Sequence, residues 1–214
     1  MSAGLFPELV DARRTRGESA AAPASWPFGD LKMGHYGLIL VDDPWRFENY
    51  SEAGEAKNPL AHYECMDLDA LKALPVRALA APDAVLVMWG IWPMAAECAD
   101  LMRHRGFTPK SGGAWGKQSR SGEKMAFGTG YIYRSASEFW LLGTIGNPKV
   151  QSHSVRNFIH APIREHSRKP DQMHADLEQL YPGPRCELFA REARPGWDVW
   201  GNQTDKFEAA DAGN

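Results

Sequence analysis

An α/β fold built on a central, mostly parallel sheet flanked by helices is what this 214-residue sequence predicts. Three observations carry it. Residues 38–41 (LILV) and 84–89 (AVLVMW) are continuous apolar runs, the pattern of strands buried on both faces rather than one. Between and after them lie segments with helical periodicity, at 67–74, 93–106 and 170–181. Further strand-like runs follow at 137–145, 186–191 and 197–200, so strand and helix alternate along the chain, as α/β sheets require.

Taken in order, residues 1–25 are rich in Ala, Arg and Glu without sustained periodicity and read as a loosely held arm. Trp26 to Asp30 reads as a turn into the first strand. That strand stops at Asp42-Asp43-Pro44-Trp45, an acidic, proline-containing end where open α/β sheets place their ligands. Residues 46–62 read as a long functional loop. Asp67 is suited to cap a short helix carrying Leu68, Leu71 and Leu74. Pro93 opens a second helix with Met94, Cys98, Leu101 and Met102 on one face, closed by Gly106. Residues 110–133 read as strand ends around a glycine-rich basic loop, and 151–168 as a second long loop with three histidines. A third helix, with Met173, Leu177 and Leu180 inward, ends at Pro182-Gly183. The catalytic domain is expected to span 26–206, followed by a disordered tail at 207–214.

Composition narrows the function. An apolar fraction of 43% with 24% charged residues is ordinary for a soluble globular domain. No apolar run reaches the roughly 20 residues of a membrane span, and no signal-peptide pattern opens the chain. The three cysteines are far apart and in no C-x-x-C pair, which fits a reducing cytoplasm. The net charge of −3 hides two basic stretches. Residues 103–134 hold seven Lys/Arg against Glu123, and residues 147–169 hold five against Glu165. Clustered Lys/Arg beside aromatics suits a polyanion such as nucleic acid.

Several chemistries are absent from the sequence. There is no G-x-x-x-x-G-K-[ST] phosphate loop, no G-x-G-x-x-G after a strand and no G-x-S-x-G elbow. His153, His160 and His166 place no two imidazoles on a common helical face, so no metal site is expected. What remains is the strand end at Asp42, with an aromatic beside a carboxylate that suits holding a flat base and accepting hydrogen bonds from its amino group.

Asp42-Asp43-Pro44-Trp45, His62-Tyr63, Val87-Met88-Trp89, Trp115-Gly116-Lys117, Glu138, Lys169-Pro170-Asp171, Glu187 to Arg191 and Gly201-Asn202-Gln203 occur in an order and spacing that resembles the MT-A70 family. Its members are S-adenosylmethionine-dependent N6-adenine methyltransferases with a D-P-P-W signature. The resemblance covers about residues 26–205. It implies a Rossmann-like methyltransferase fold with a permuted motif order, in which the catalytic strand precedes the cofactor strands.

The resemblance also implies roles. Asp42 and the backbone carbonyl of Asp43 would accept the adenine amino hydrogens, with Pro44 shaping the turn and Trp45 stacking on the base. Lys169, at a helix start, would pair with the cofactor carboxylate. Asn202 and Gln203 would grip its ribose, with Phe189 and Arg191 adjacent and Asp30-Leu31 toward its adenine. Tyr63, Trp115, Lys117 and Glu138 would line the substrate side; independently of the resemblance, the basic cluster of Lys117, Arg120 and Lys124 is read as contacting phosphates. The implied cofactor is S-adenosylmethionine. The implied partner is nucleic acid, DNA in preference to RNA, with monomer and homodimer both open and no membrane.

The signature departs at its first proline, which is Asp43 here. A second carboxylate beside Asp42 would raise the pKa of at least one of them. On that expectation turnover at neutral pH is slower than in an Asp43→Pro variant. The competing reading is a catalytically impaired, nucleic-acid-binding partner subunit.

Overall fold

The computed structural model describes residues 25–45, 65–128, 130, 132–165 and 168–207. The expected arm at 1–24, the loop at 46–62 with Tyr63, and all but the first residue of the tail lie outside the described residues.

Seven strands form a single sheet in the order β5-β3-β4-β2-β1-β6-β7. They are β1 (Tyr36–Val41), β2 (Ala80–Gly90), β3 (Thr108–Gln118), β4 (Ser137–Ile145), β5 (Phe158–Pro162), β6 (Arg185–Leu188) and β7 (Asp198–Trp200). β1 pairs in parallel with both β2 and β6, β6 with β7, and β3 with β5. β4 is antiparallel to both its neighbours, so it alone runs against the rest. From the adjacent strands β1 and β6 the chain thus proceeds in opposite directions across the sheet, β1 to β2 on one side and β6 to β7 on the other. That is a switch point, and its crevice lies at the carboxyl end of β1.

The pleat sorts the β1 side chains onto two cores. Ile39 and Val41 join Leu86 and Met88 of β2 against the helices α1 (Leu68–Ala73) and α2 (Ala95–His104), through Leu71, Cys98, Leu101 and Met102. Leu38 and Leu40 join Val85, Val87 and Trp89 against α3 (Gln172–Leu180), through Met173 and Leu177. A strand apolar on both faces was the reading of residues 38–41, and two covered faces are its physical cause.

Helix boundaries follow local chemistry. Asp67 caps α1, its carboxylate accepting from the Ala70 N–H at 2.8 Å. Pro93 sits in a short 3-10 turn (Trp92–Met94) ahead of α2. Gly106 ends that helix at φ +78°, a left-handed conformation that glycine adopts without steric cost.

Three expectations are corrected. Residues 108–118 are one continuous strand, not the flank of a glycine-rich loop. Gly113 is there for close approach, since a Cβ on it would overlap the Trp140 ring and the Asn157 carbonyl. Within the expected loop at 151–168 lies the edge strand β5, only five residues long and ending on a proline. β6 stops at Leu188 rather than Arg191, because Phe189 turns to φ +59°.

Candidate active site

Period-two alternation decides what the acidic end of β1 does. Asp42 continues the face of Leu38 and Leu40 and meets Lys169. Asp43 continues the face of Ile39 and Val41 and meets Arg105, just past the end of α2. The Arg105 guanidinium donates to both Asp43 oxygens, at 2.7 and 2.8 Å, and both side chains are fully buried. This corrects the reading of Asp43 as a second active-site carboxylate. Its side chain is spent on a buried bidentate pair, so it adds no repulsion on the side where Asp42 stands. Nearby, burial pushes the Cys98 thiol up to about 12, with Asp43 adding to the effect, so it has no role as a thiolate at neutral pH.

On the Asp42 side four charges alternate. The Lys169 Nζ donates to the Asp42 carboxylate, 2.8 Å from Oδ1 and 2.9 Å from Oδ2, and lies 3.3 Å from Glu138 Oε2. Glu138 Oε1 in turn accepts from the Lys117 Nζ at 2.6 Å. Burial alone would raise Glu138, but Lys169 and Lys117 outweigh it and hold the carboxyl at about 2. Burial likewise opposes the Lys169 charge, and Asp42 and Glu138 outweigh it, so its pKa lies above the usual lysine value. Lys169 also sits over the Trp89 ring, 5.5 Å from its centroid. It precedes α3 by three residues rather than starting it; Asp171 takes the capping position.

The turn itself is tied down by backbone bonds. The Asp43 carbonyl accepts from the Trp45 N–H at 2.9 Å, and the Pro44 carbonyl from the Met66 N–H at 2.9 Å. Trp45 is buried in the core, its indole N–H donating to the Trp89 carbonyl at 3.2 Å. An open stacking face, as expected for Trp45, is therefore not what this arrangement presents. Trp115 is likewise buried, packed edge-on to Trp89 with its N–H on the Ala161 carbonyl at 2.9 Å. Tyr63 lies outside the described residues.

A cavity opens beside Asp42 and Pro44, lined also by Met66, Phe189, Arg191, Trp200, Gly201, Asn202 and Gln203. Phe189 packs edge-on to Trp200, and the left-handed backbone at Phe189 swings the chain away at the end of β6. A second recess shares Asp42, Phe189 and Arg191 and adds Lys169, His174 and Glu187. Together they place three cations (Arg168, Lys169, Arg191), three carboxylates (Asp42, Glu187, Glu192), two side-chain amides and aromatic surface around one crevice. That donor set fits a molecule with a carboxylate, ribose hydroxyls and a flat ring, as S-adenosylmethionine has. Leu31 packs in the core and Asp30 is exposed; neither is among the residues lining the cavity.

Sequence reasoning missed Arg105 and the His174–Glu187 contact, 2.8 Å between Nε2 and Oε2. The signal for Arg105 was available: position 43 falls on the α2 face by alternation, and a buried carboxylate there calls for a cation.

Arg120 and Lys124 are exposed on the connection between β3 and β4 and remain suited to phosphate contact, whereas Lys117 is committed to Glu138. Replacing Arg120 and Lys124 together by alanine is expected to weaken nucleic-acid binding and to lower the slope of log K against log salt by about 1 per lost contact. Filter binding across a salt series measures it; an unchanged slope would mean these two make no phosphate contact.

A family model described as MT-A70 matches residues 36–203. An N(6)-adenosine-methyltransferase MT-A70-like protein of Arabidopsis thaliana is 30% identical over 199 residues, covering 87% of this chain and 27% of that protein. The N(6)-adenine-specific methyltransferase METTL4 of Mus musculus is 26% identical, over 82% of this chain and 39% of its own length. The type II methyltransferase M.MunI of a Mycoplasma species is 25% identical, over 88% of this chain and 86% of its own length. The chain therefore spans about a quarter of the plant relative and most of the Mycoplasma one.

Proposed function

Because the chain belongs to the MT-A70 family, we propose that it transfers a methyl group from S-adenosylmethionine to the N6 amino group of adenine in nucleic acid. The observation that carries this reading is Asp42, held on Lys169 at the switch point of the sheet and opening onto the cavity lined by Asn202, Gln203 and Arg191.

Asp42 acts as acceptor. An ionised carboxylate has about four lone-pair sites, so the Lys169 contact leaves room for an amino hydrogen. The Asp43 carbonyl, with one lone pair on the Trp45 N–H, has a second for the other hydrogen. Accepting both draws the nitrogen lone pair out of conjugation with the ring and aims it into the cavity. When bound, S-adenosylmethionine supplies the methyl carbon for an in-line displacement. The protein's part is orientation and electrostatics, with no covalent intermediate on the chain. Lys169 and Arg191 would hold the cofactor's carboxylate end, and Asn202 and Gln203 its ribose.

Adenine in a duplex must be extruded to reach such a crevice, whereas a single strand delivers it directly. We favour DNA, because this chain and the Mycoplasma type II methyltransferase match over most of both lengths. The non-catalytic reading rested on Asp43, and with that side chain turned to Arg105 it loses its support.

Transfer of labelled methyl groups from S-adenosylmethionine onto DNA and RNA pools, followed by nucleoside digestion, tests the proposal. N6-methyladenine in the DNA pool is the expected product; label on another nucleoside, or none, would overturn it. Cofactor binding is tested separately. Asn202→Ala is expected to weaken S-adenosylmethionine binding by about 0.5–1.5 kcal/mol, and Lys169→Ala by about 1.5–3 kcal/mol as a charge-assisted bond is lost. Calorimetry giving unchanged affinity in both variants would remove the cofactor assignment.

A further inference from the structure

The turn at residues 42–45 is held by the 2.9 Å bonds on the Asp43 and Pro44 carbonyls and by Lys169 on Asp42, but its ties to the neighbouring strands β6 and β2 are longer. The Asp42 N–H reaches the Leu188 carbonyl at 3.4 Å, a long bond, and the Trp45 indole bond is 3.2 Å. Against these, the Arg105 fork grips both oxygens of Asp43 at 2.7 and 2.8 Å in a site closed to solvent. Two parallel bonds from a planar group fix the rotation of a carboxylate as well as its distance. Arg105 is itself fixed: its backbone N–H bonds the Leu101 carbonyl at 2.9 Å, and Gly106 then turns the chain away.

As a stabilising device this pair is poorly made. Buried ion pairs contribute little net stability against apolar replacements, and the Arg105 Nε–H has no partner among the described residues. As a device for direction it is well made, because Asp42 and Asp43 share one peptide unit. Locking the side chain of one locks the backbone that aims the other. The next residue is Pro44, which restricts Asp43 to extended conformations but leaves its exact setting to be chosen. We propose that Arg105 is a positioning residue for the catalytic turn: by clamping Asp43 toward α2, it sets the angle at which Asp42 presents its carboxylate on the opposite face. The role rests on the adenine methyltransferase reading, and it makes α2, remote from the cavity, part of the machinery.

Arg105→Lys is the test, since it keeps the charge and loses the fork. Steady-state methyl transfer is expected to show kcat reduced roughly tenfold or more, as small misplacements of a reacting group do. The KM for S-adenosylmethionine should stay within about twofold, because no cavity residue is touched. In protein carrying 13C-carboxyl aspartate, the Asp42 resonance, assigned through Asp42→Asn, is expected to move although the Arg105 guanidinium bonds Asp43 and Met88 rather than Asp42. Asp43→Asn, nearly isosteric, gives the same pair of readouts should the lysine variant fold poorly. An unmoved Asp42 resonance, or wild-type kcat in a variant that has lost only thermal stability, would overturn the proposal. Absence of adenine methylation by the wild type would overturn the functional reading instead, and the Asp42 resonance would still decide the clamp.

Discussion

Asp42→Ala is expected to reduce methyl transfer by roughly 100- to 1000-fold or more, the scale seen when a preorganised hydrogen-bonding group aimed at the reacting atom is removed. In the proposed reaction its carboxylate would receive the adenine amino group, and the Asp43 carbonyl, already accepting from the Trp45 N–H, would be a poor substitute. The fold should survive. Asp42 lies outside both apolar clusters, and Lys169 keeps Glu138 at 3.3 Å as a counterion. Circular dichroism and calorimetry with S-adenosylmethionine provide the control. Appreciable turnover by a folded, cofactor-binding variant would mean that the amino hydrogens are received elsewhere.

Asp43→Pro is expected to do the opposite of what the signature suggests. Restoring the missing proline would stiffen the turn by about 0.4–1 kcal/mol if its geometry fits. The same change leaves the Arg105 guanidinium buried without a counterion, at a cost of about 3–5 kcal/mol. The second effect is several times the first, so the variant should be destabilised by several kcal/mol and lose activity with its fold. Urea denaturation of the two proteins measures this. A proline variant as stable as the parent would show that Arg105 finds another partner or leaves the core.

Much of this could be read in advance, and what could not has specific causes. Residues 38–41 read as doubly buried because both sheet faces are covered, and the Asp67 cap and Gly106 stop rest on local chemistry. Lys169, Glu138 and Lys117 were each legible as site residues, but not as one chain of contacts, because they come from three distant segments. Strand β5 was missed for want of length: five residues at an edge carry too little periodicity to be told from a loop. Trp45 was assigned to stacking and Trp115 to the substrate side by resemblance along the sequence, yet burial was decided by neighbours in space. Asp43 was misplaced for a simpler reason. Adjacent residues on a strand were treated as sharing a site, when the pleat sends them to opposite sides.

The alternating chain Lys117–Glu138–Lys169–Asp42 carries as many positive charges as negative ones. Seen from a few tens of ångströms it is close to invisible: the field of a neutral multipole dies away faster than that of a single charge, and mobile ions erase what is left within about 8 Å at physiological salt. On the proposed function, a polyanion approaching the protein would therefore not be drawn to this crevice by these four charges. It would instead be drawn to the exposed Arg120 and Lys124 on the connection beyond β3, which would hold the phosphates some distance off. A base, uncharged and small enough to enter, would experience the strong local field between Asp42 and Lys169. Capture and chemistry would thereby be handled by separate charges, and ionic strength is expected to govern how often nucleic acid arrives far more than how fast it reacts once an adenine is seated.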